Sequence, residues 1–329
     1  MHSIAFAATA LAAMLIATPA QAQVVQTFVS AAGSDSNNCA DVTTPCLHFQ
    51  NAVNATAPGG EVVALNPADY GPMTINQPIT INGQGWAYVA PAAGGSAITI
   101  NANSGDTVRL RGLVLDGSSA TNTNGTNGIV LNSGRRLTVT NCIMQNFLLA
   151  GTGPLGRGIL MQPTSGTLSF DISYTTLLNN SIGIEWVPPS GSPNAIGVID
   201  HVTAINASEG GSAIAFETEN AAGGYVFAAI SNSVTSNNGA GIYADNQFSP
   251  STIAVSIKNL TATNNFLGII ANGTSNVQLG QSVITGNTYG ITNNTQPNTF
   301  YTYNDNQIGQ NSLADITGIT PTLNTLNKQ

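Results

Sequence analysis

Charge is what this sequence has least of. Only 7% of its 329 residues are Asp, Glu, Lys or Arg, where an ordinary globular chain has roughly a quarter. Seven basic residues stand against fifteen acidic ones, a formal charge of −8. That balance argues against nucleic acid as a partner and against unassisted binding of acidic polymers. Cysteine and histidine are scarce too: there are three of each, at no metal-binding spacing. Beyond the N-terminal region no segment keeps a helical apolar period, and none is long and apolar enough to span a bilayer. A Gly-rich phosphate loop and a Ser–His–Asp order are both missing.

What is present in excess is amide and glycine. The chain has 38 Asn and 35 Gly, with 42% hydrophobic residues. Polarity is thus carried by amides and hydroxyls rather than by charge, so this is not a charged disordered chain. The apolar fraction is ample for a core.

The first residues, "MHSIAFAATALAAMLIATPAQAQ", read as a leader for export. An apolar stretch runs from Ile4 to Ala17, and Ala20-Gln21-Ala22 offers an A-x-A cleavage site that leaves Gln23 first. The basic start usual in such leaders is replaced by His2 alone. The protein is therefore expected outside the cytoplasm, extracellular or periplasmic. Export permits disulfides, and Cys39 and Cys46, bracketing "CADVTTPC", are expected to pair. Cys142, in "LTVTNCIM", is left over, in a setting that suits a small buried residue.

The dominant feature is an internal repeat. Gly-Ile recurs at 128–129, 158–159, 183–184, 241–242, 268–269 and 290–291, and Ala213-Ile214 fills the gap. Successive Ile residues lie 30, 25, 30, 28, 27 and 22 positions apart. Asn180, Asn238, Asn265 and Asn287 precede four of the pairs at one offset. Alternating segments such as "LSFDIS", "YVFAAIS" and "IAVSIKN" lie upstream, and a period of two marks strands with one face buried. Such short strands, with few hairpin signals, are best satisfied by stacking each repeat on the next, about 4.8 Å apart. On this reading Asn turns the corner in a left-handed conformation and can ladder with its neighbours. Gly allows the bend, and Ile fills the core.

With this repeat the chain resembles the right-handed parallel β-helix family, the pectate-lyase-like fold. The N-terminal "FVSAAGSDSNNCADVTTPCLHFQNAVNATAPGGEVVALNPADYG" is similar to the opening of many secreted members, in which a "GSD" loop and a "PC-x-x-F-x-x-A" helix lead into the first coil. The resemblance implies an all-β fold: a single right-handed parallel β-helix, or solenoid, with an N-terminal helical cap. Thr44-Pro45 could start that helix, and Leu47, Phe49, Val53 and Ala57 supply its apolar face. The expected organisation is a leader over 1–22, a disulfide loop and capping helix over 23–60, and eight or nine coils over 61–311. A polar tail follows over 312–329.

The phase of the repeat locates the outward face, one and three residues after each Ile. Those positions place Glu185, Glu217 and Asp245 on three successive coils, with Tyr243 among them and Arg157 on the coil before. In so uncharged a chain this acidic face is the strongest site signal. The carboxylates are candidate catalytic groups at a spacing that suits glycosidase pairs, Tyr243 is a stacking platform and Arg157 a second substrate contact. The same column could instead bind Ca²⁺, or be simple solvated surface.

"VIDHVTAIN" is similar to a "W-I-D-H" strand of pectate lyases. The resemblance implies Asp200 as a calcium candidate, while His201 falls in line with Asn232, Asn259 and Ser282 as a ladder residue. The lyase's later basic residue has no counterpart on the acidic face, because Lys258 lies outward on the preceding strand. The N-x-D, D-D, G-H-G and R-x-K motifs of polygalacturonases are absent. Arg109, Arg111, Arg135 and Arg136 form a small basic group near the start.

Two functions remain open. One is an exported protein that binds or processes polysaccharide along the acidic face, as a lyase or hydrolase if it is an enzyme. Its partner would be a neutral glycan, or an acidic one bridged by metal. The other is a non-catalytic extracellular rod or adhesin. Either a monomer or a homotrimer is compatible with the fold.

Overall fold

The computed structural model describes residues 24–118, 126–148, 156–207, 210–297 and 299–326. The leader expected over 1–22 lies outside the described residues. The chain forms a parallel β-solenoid of about nine turns.

Each full coil visits three faces in turn. One coil runs Tyr225–Ser231, Val234–Ser236, Ala240–Asp245, and the next runs Thr252–Lys258, Thr261–Thr263, Leu267–Gly273. All three strands pair in parallel with their counterparts one coil along. The third face forms a sheet of ten strands, from Met73–Ile75 to Ala314–Thr317. Pairing continues past Asn311 into the residues read as a tail, where Ala314–Thr317 joins Tyr289–Thr295 and Asn324–Thr325 joins Phe300–Thr302.

The Gly-Ile phase is the spine of the core. Ile98, Ile129, Ile159, Ile184, Ile214, Ile242, Ile269, Ile291 and Ile316 are register partners in succession. From Ile98 through Ile291 all are fully buried, each worth about 1.5–3 kcal/mol of transfer free energy. Two residues further on, Met161, Trp186, Phe216 and Ala244 form a second buried column.

The structure divides between two residues the work the sequence reading gave to one Asn. The left-handed backbone falls one position earlier, at Asn179, Asn206, Asn237 and Asn264, with Gly286 in the same place. The following Asn instead turns its amide into the stack. Asn238 Nδ2 donates to Asn265 Oδ1 at 2.9 Å, Asn265 Nδ2 to Asn287 Oδ1 at 3.0 Å, and Asn287 Nδ2 to Asn311 Oδ1 at 3.0 Å. Asp315 ends the ladder by accepting from Asn311 Nδ2 at 2.9 Å. Each ladder oxygen also accepts a backbone N–H one coil earlier, as Asn287 Oδ1 does from Asn265 at 3.0 Å. The amides of Asn238, Asn265 and Asn287 are almost fully buried, so satisfying every donor is what makes Asn tolerable there.

The glycines of the repeat are required by crowding rather than by a bend, because none of them has positive φ. A β-carbon on Gly158 would lie 2.7 Å from the Gly183 carbonyl oxygen and 3.2 Å from the Asn180 amide nitrogen. Ladder and glycine therefore go together.

The ladder breaks once. Ala207 follows Asn206 where a ladder Asn belongs, and Asn180, Gly183, Ala204, Ala207 and Ala213 surround the place where the amide is missing.

At the N-terminal end Cys39 and Cys46 form a disulfide, with Cα atoms 4.9 Å apart. The one helix among the described residues spans Phe49–Ala55 and buries Phe49, Ala52 and Val53. It starts later than Thr44-Pro45 because Cys46 is held extended against the first strand, its N–H donating to Phe28 and its carbonyl accepting from Ser30, both at 2.9 Å. Leu47 and Ala57 fall outside the helix, Ala57 in the strand Thr56–Ala64. Cys142 is free and buried, and burial pushes its thiol up to about 11.

Candidate functional site

On the ten-stranded sheet, alternation sends the residues after each core Ile outward. Register stacks Leu160, Glu185, Ala215, Tyr243 and Ile270 in one outward column, and Glu217, Asp245, Asn272 and Asn294 in the next. The sheet thus brings Glu217 and Asp245 side by side on adjoining coils. Glu185 lies in the neighbouring column, and Ala215, a fully buried small residue, separates it from Tyr243.

The three carboxylates differ in surroundings. Glu185 is 3% exposed and is held by Arg157, whose Nε donates to Oε2 at 2.5 Å. A charge buried to that degree needs such a partner, so Arg157 is engaged with Glu185. Asp245 accepts three hydrogen bonds: from the Tyr243 hydroxyl at 2.7 Å, Asn272 Nδ2 at 3.0 Å and the Gln247 N–H at 2.8 Å. Glu217 has no such support. Burial, and then the negative charges of Glu185, Glu219 and Asp245, push its carboxyl up to about 7, with Arg157 pulling the other way. Burial and the hydrogen bond given to Asp245 likewise raise the Tyr243 phenol above its ordinary range.

Glu217 and Tyr243 open onto a cleft of about 320 Å³. Ile182 and Ser212 line one side, Phe266 and Leu267 the other, and Gly210, Gly211 and Gly239 leave its wall without side chains. Phe266 is exposed and packs edge-on against Tyr289, with centroids 5.6 Å apart. The cleft sits at the coil in which the repeat lapses, the one carrying Ala207 and Ala213.

Asp200 lies elsewhere, at the end of the strand Asn194–Asp200 on a different sheet. Its oxygens accept from the Ser231 hydroxyl at 2.5 Å, Asn232 Nδ2 at 2.8 Å and His201 Nδ1 at 2.7 Å. The Ser231 hydrogen bond leads in lowering its carboxyl to about 2, helped by His201 and Asn232 and opposed by desolvation. His201 is left-handed, in the column of Asn232, Asn259 and Gln281, and not of Ser282 as the sequence alignment had it. The amide ladder there passes from Asn259 to Asn232 and on to Asp200, bypassing His201. The His201 ring stacks on Tyr174 at 4.7 Å instead.

These surroundings do not fit a calcium ion, which takes six to eight oxygens. Among the described residues no three His, Cys, Asp or Glu side chains converge into a metal-holding group. The Asp200 and Asp245 oxygens already serve protein donors, and Glu185 serves Arg157.

Sequence reasoning missed Glu219, whose charge acts on Glu217, and Phe266, the exposed aromatic beside the cleft. It also missed the glycine lip at Gly210, Gly211 and Gly239. The only sequence signal for them was the lapse of the repeat: an Asn replaced by Ala207, and a Gly replaced by Ala213.

No known protein family matches the sequence, and no curated protein does. Among solved structures, the chain is similar to the A-module of the mannuronan C-5 epimerase AlgE4 of Azotobacter vinelandii. Identity is 15% over 80% of this chain and 91% of that one, with a TM-score of 0.33. A likeness this distant says nothing about the chemistry of the cleft. Among the described residues no helix is long and apolar enough to cross a membrane.

Proposed function

We propose that the cleft binds a neutral glycan and hydrolyses it, with Glu217 as general acid and Asp245 as its carboxylate partner. The observation that carries this reading is the contrast between the two groups on adjoining coils. Glu217 retains its proton up to about pH 7, whereas Asp245 is held by three donors. The raised Glu217 carboxyl suits the proton donor of a carboxyl pair. The two residues are register partners on adjoining strands, about 5 Å apart at the backbone, so their carboxyl groups can face the same sugar.

The Glu217 proton passes to the glycosidic oxygen as the C1–O bond breaks, and an Asp245 oxygen attacks C1. Water, deprotonated by Glu217, then releases the sugar and restores both groups. Phe266 supplies an apolar ring face for a sugar, and the glycine lip gives the chain room to lie along the sheet.

Lyase chemistry is disfavoured by charge. It needs a cation against the uronate carboxylate, but Arg157 is tied to Glu185, and an acidic sugar would meet Glu217, Glu219 and Asp245. A rod without catalysis is supported by one feature, the amide ladder from Asn238 to Asn311, which ties successive coils together. In either case the leader and the disulfide support export, and the Phe49–Ala55 helix serves to cover the open N-terminal end of the core.

The test is turnover of a panel of neutral and acidic oligosaccharides by the wild type, Glu217→Gln and Asp245→Asn. The reading expects release of reducing ends from a neutral glycan, at least about 10²-fold slower in either variant. No turnover anywhere, together with no binding, would leave the rod. Turnover of acidic glycans alone would overturn the charge argument.

A further inference from the structure

Four of the seven basic residues, Arg109, Arg111, Arg135 and Arg136, fall close together in the sequence, on a different sheet from the cleft. Arg109 and Arg111 point outward from the strand Thr107–Asp116, and Arg136 from Arg136–Thr140, the same face one coil along. Arg111 is committed: its Nη2 donates to Glu61 Oε1 at 2.5 Å. Glu61 is further occupied by Asn82 Nδ2 and Gln26 Nε2, each at 3.2 Å. The carboxylate is thereby drawn toward Arg111.

Arg109 is left between Thr80 and Thr138, its register partners on either side. Arg136 pairs with Thr107 and is therefore the diagonal neighbour of Arg109, about 7–8 Å away at the backbone. Among the described residues neither guanidinium has an ion-pair or hydrogen-bond partner. Asp171, opposite Thr138 on the following coil, pairs with neither. Thr80, Arg109, Arg111, Thr138, Thr140 and Glu61 line a groove of about 650 Å³.

Arg136 stands outside this groove, beyond Arg109 at its edge. We propose that the surface between Arg109 and Arg136, at the edge of the groove, binds a tetrahedral oxoanion, a sulfate or phosphate group either free or esterified to a sugar. A planar carboxylate is satisfied by one guanidinium fork. Two guanidiniums from adjoining coils offer separate sets of donors, which suits an anion whose oxygens point in several directions. The Thr138 hydroxyl adds a donor between them. Glu61 removes the third positive charge by holding Arg111, so two guanidiniums rather than three face the anion. In a protein of net charge −8, the Arg109–Arg136 surface is a place where a negative ligand meets two unpaired cations.

The test follows the arginine Nε–Hε signals of the full-length protein by NMR at constant ionic strength. The probes are inorganic sulfate, inorganic phosphate, a sugar sulfate monoester, a sugar phosphate monoester and the matched neutral sugar. The proposal expects saturable shifts at Arg109 and Arg136, none at Arg135, and none with the neutral sugar. In Arg109→Gln/Arg136→Gln the affinity should fall at least about tenfold. Both side chains are exposed, so the variant is expected to fold. Tighter binding of an ester identifies a saccharide source and tighter binding of a free anion an inorganic one, and either result supports the site. Shifts equal to those at Arg135, or an unchanged affinity in the double variant, would overturn it.

Discussion

Asn265 Nδ2 donates to Asn287 Oδ1 at 3.0 Å, and the same oxygen accepts the Asn265 backbone N–H at 3.0 Å. A single side chain thus ties two coils together twice, inside the core. Replacing Asn265 by Ala would remove this link and strand the amide and N–H of Asn238, which donate to Asn265 Oδ1 at 2.9 and 3.1 Å. The expected cost is about 2–4 kcal/mol, the penalty of buried unpaired donors. Urea unfolding should show a lower midpoint with an unchanged slope.

The gap at Ala207 predicts the opposite sign. Ala207→Asn would place an amide between Asn180 and Asn238 and restore the missing step of the ladder. Stability should rise by about 1 kcal/mol. A drop in the same urea midpoint would mean that the lapse in the ladder is required by packing.

Gly268 tests crowding against backbone conformation. A β-carbon there would lie 2.9 Å from Ile284 Cγ2 and 3.0 Å from Asn287 Nδ2, and closer still to the Gly290 carbonyl. Gly268→Ala should therefore destabilise by about 1–3 kcal/mol. Gly286→Asn, at a left-handed position with φ 68° that Asn fills elsewhere, should be nearly neutral in the same assay.

Glu217 gives the protein a pH dependence of unusual sign. Its carboxyl is raised from 4.5 to about 7 on folding, so between those values the folded state binds more protons than the unfolded. Stability then falls as pH rises through that window and is fully present only below it. Allowing for partial exposure, the span is about 1–3 kcal/mol. Glu217→Gln should flatten the curve and be the more stable protein above pH 7. Thermal melts of both proteins across this window provide the check.

Much of the architecture was legible because a solenoid repeats its own rules. The Gly-Ile phase gave the core column and both outward columns, including the stacking of Glu217 on Asp245. What each repeat residue does was less legible. Asn264 and Asn265 are identical in sequence, yet one takes the left-handed turn and the other the ladder, a division that only the stacked neighbours decide. Glycine invited a bend, whereas the cause was a carbonyl one coil away. The cleft was hidden for the complementary reason: it lies where the pattern stops, at Ala207 and Ala213, and pattern reading looks for what recurs. The sequence marked Arg157 as a substrate contact but did not show that it pairs with a buried Glu185. Burial across coils is a tertiary fact that no spacing along one coil encodes.

The most direct measurement is an NMR titration of the Glu217 side-chain carboxyl by ¹³C chemical shift. The account predicts a midpoint near pH 7, moving down toward the ordinary glutamate range in Asp245→Asn, where a neighbouring negative charge is removed. A midpoint already near 4.5 in the wild type would contradict it, because Glu217 would then have no proton to give at neutral pH.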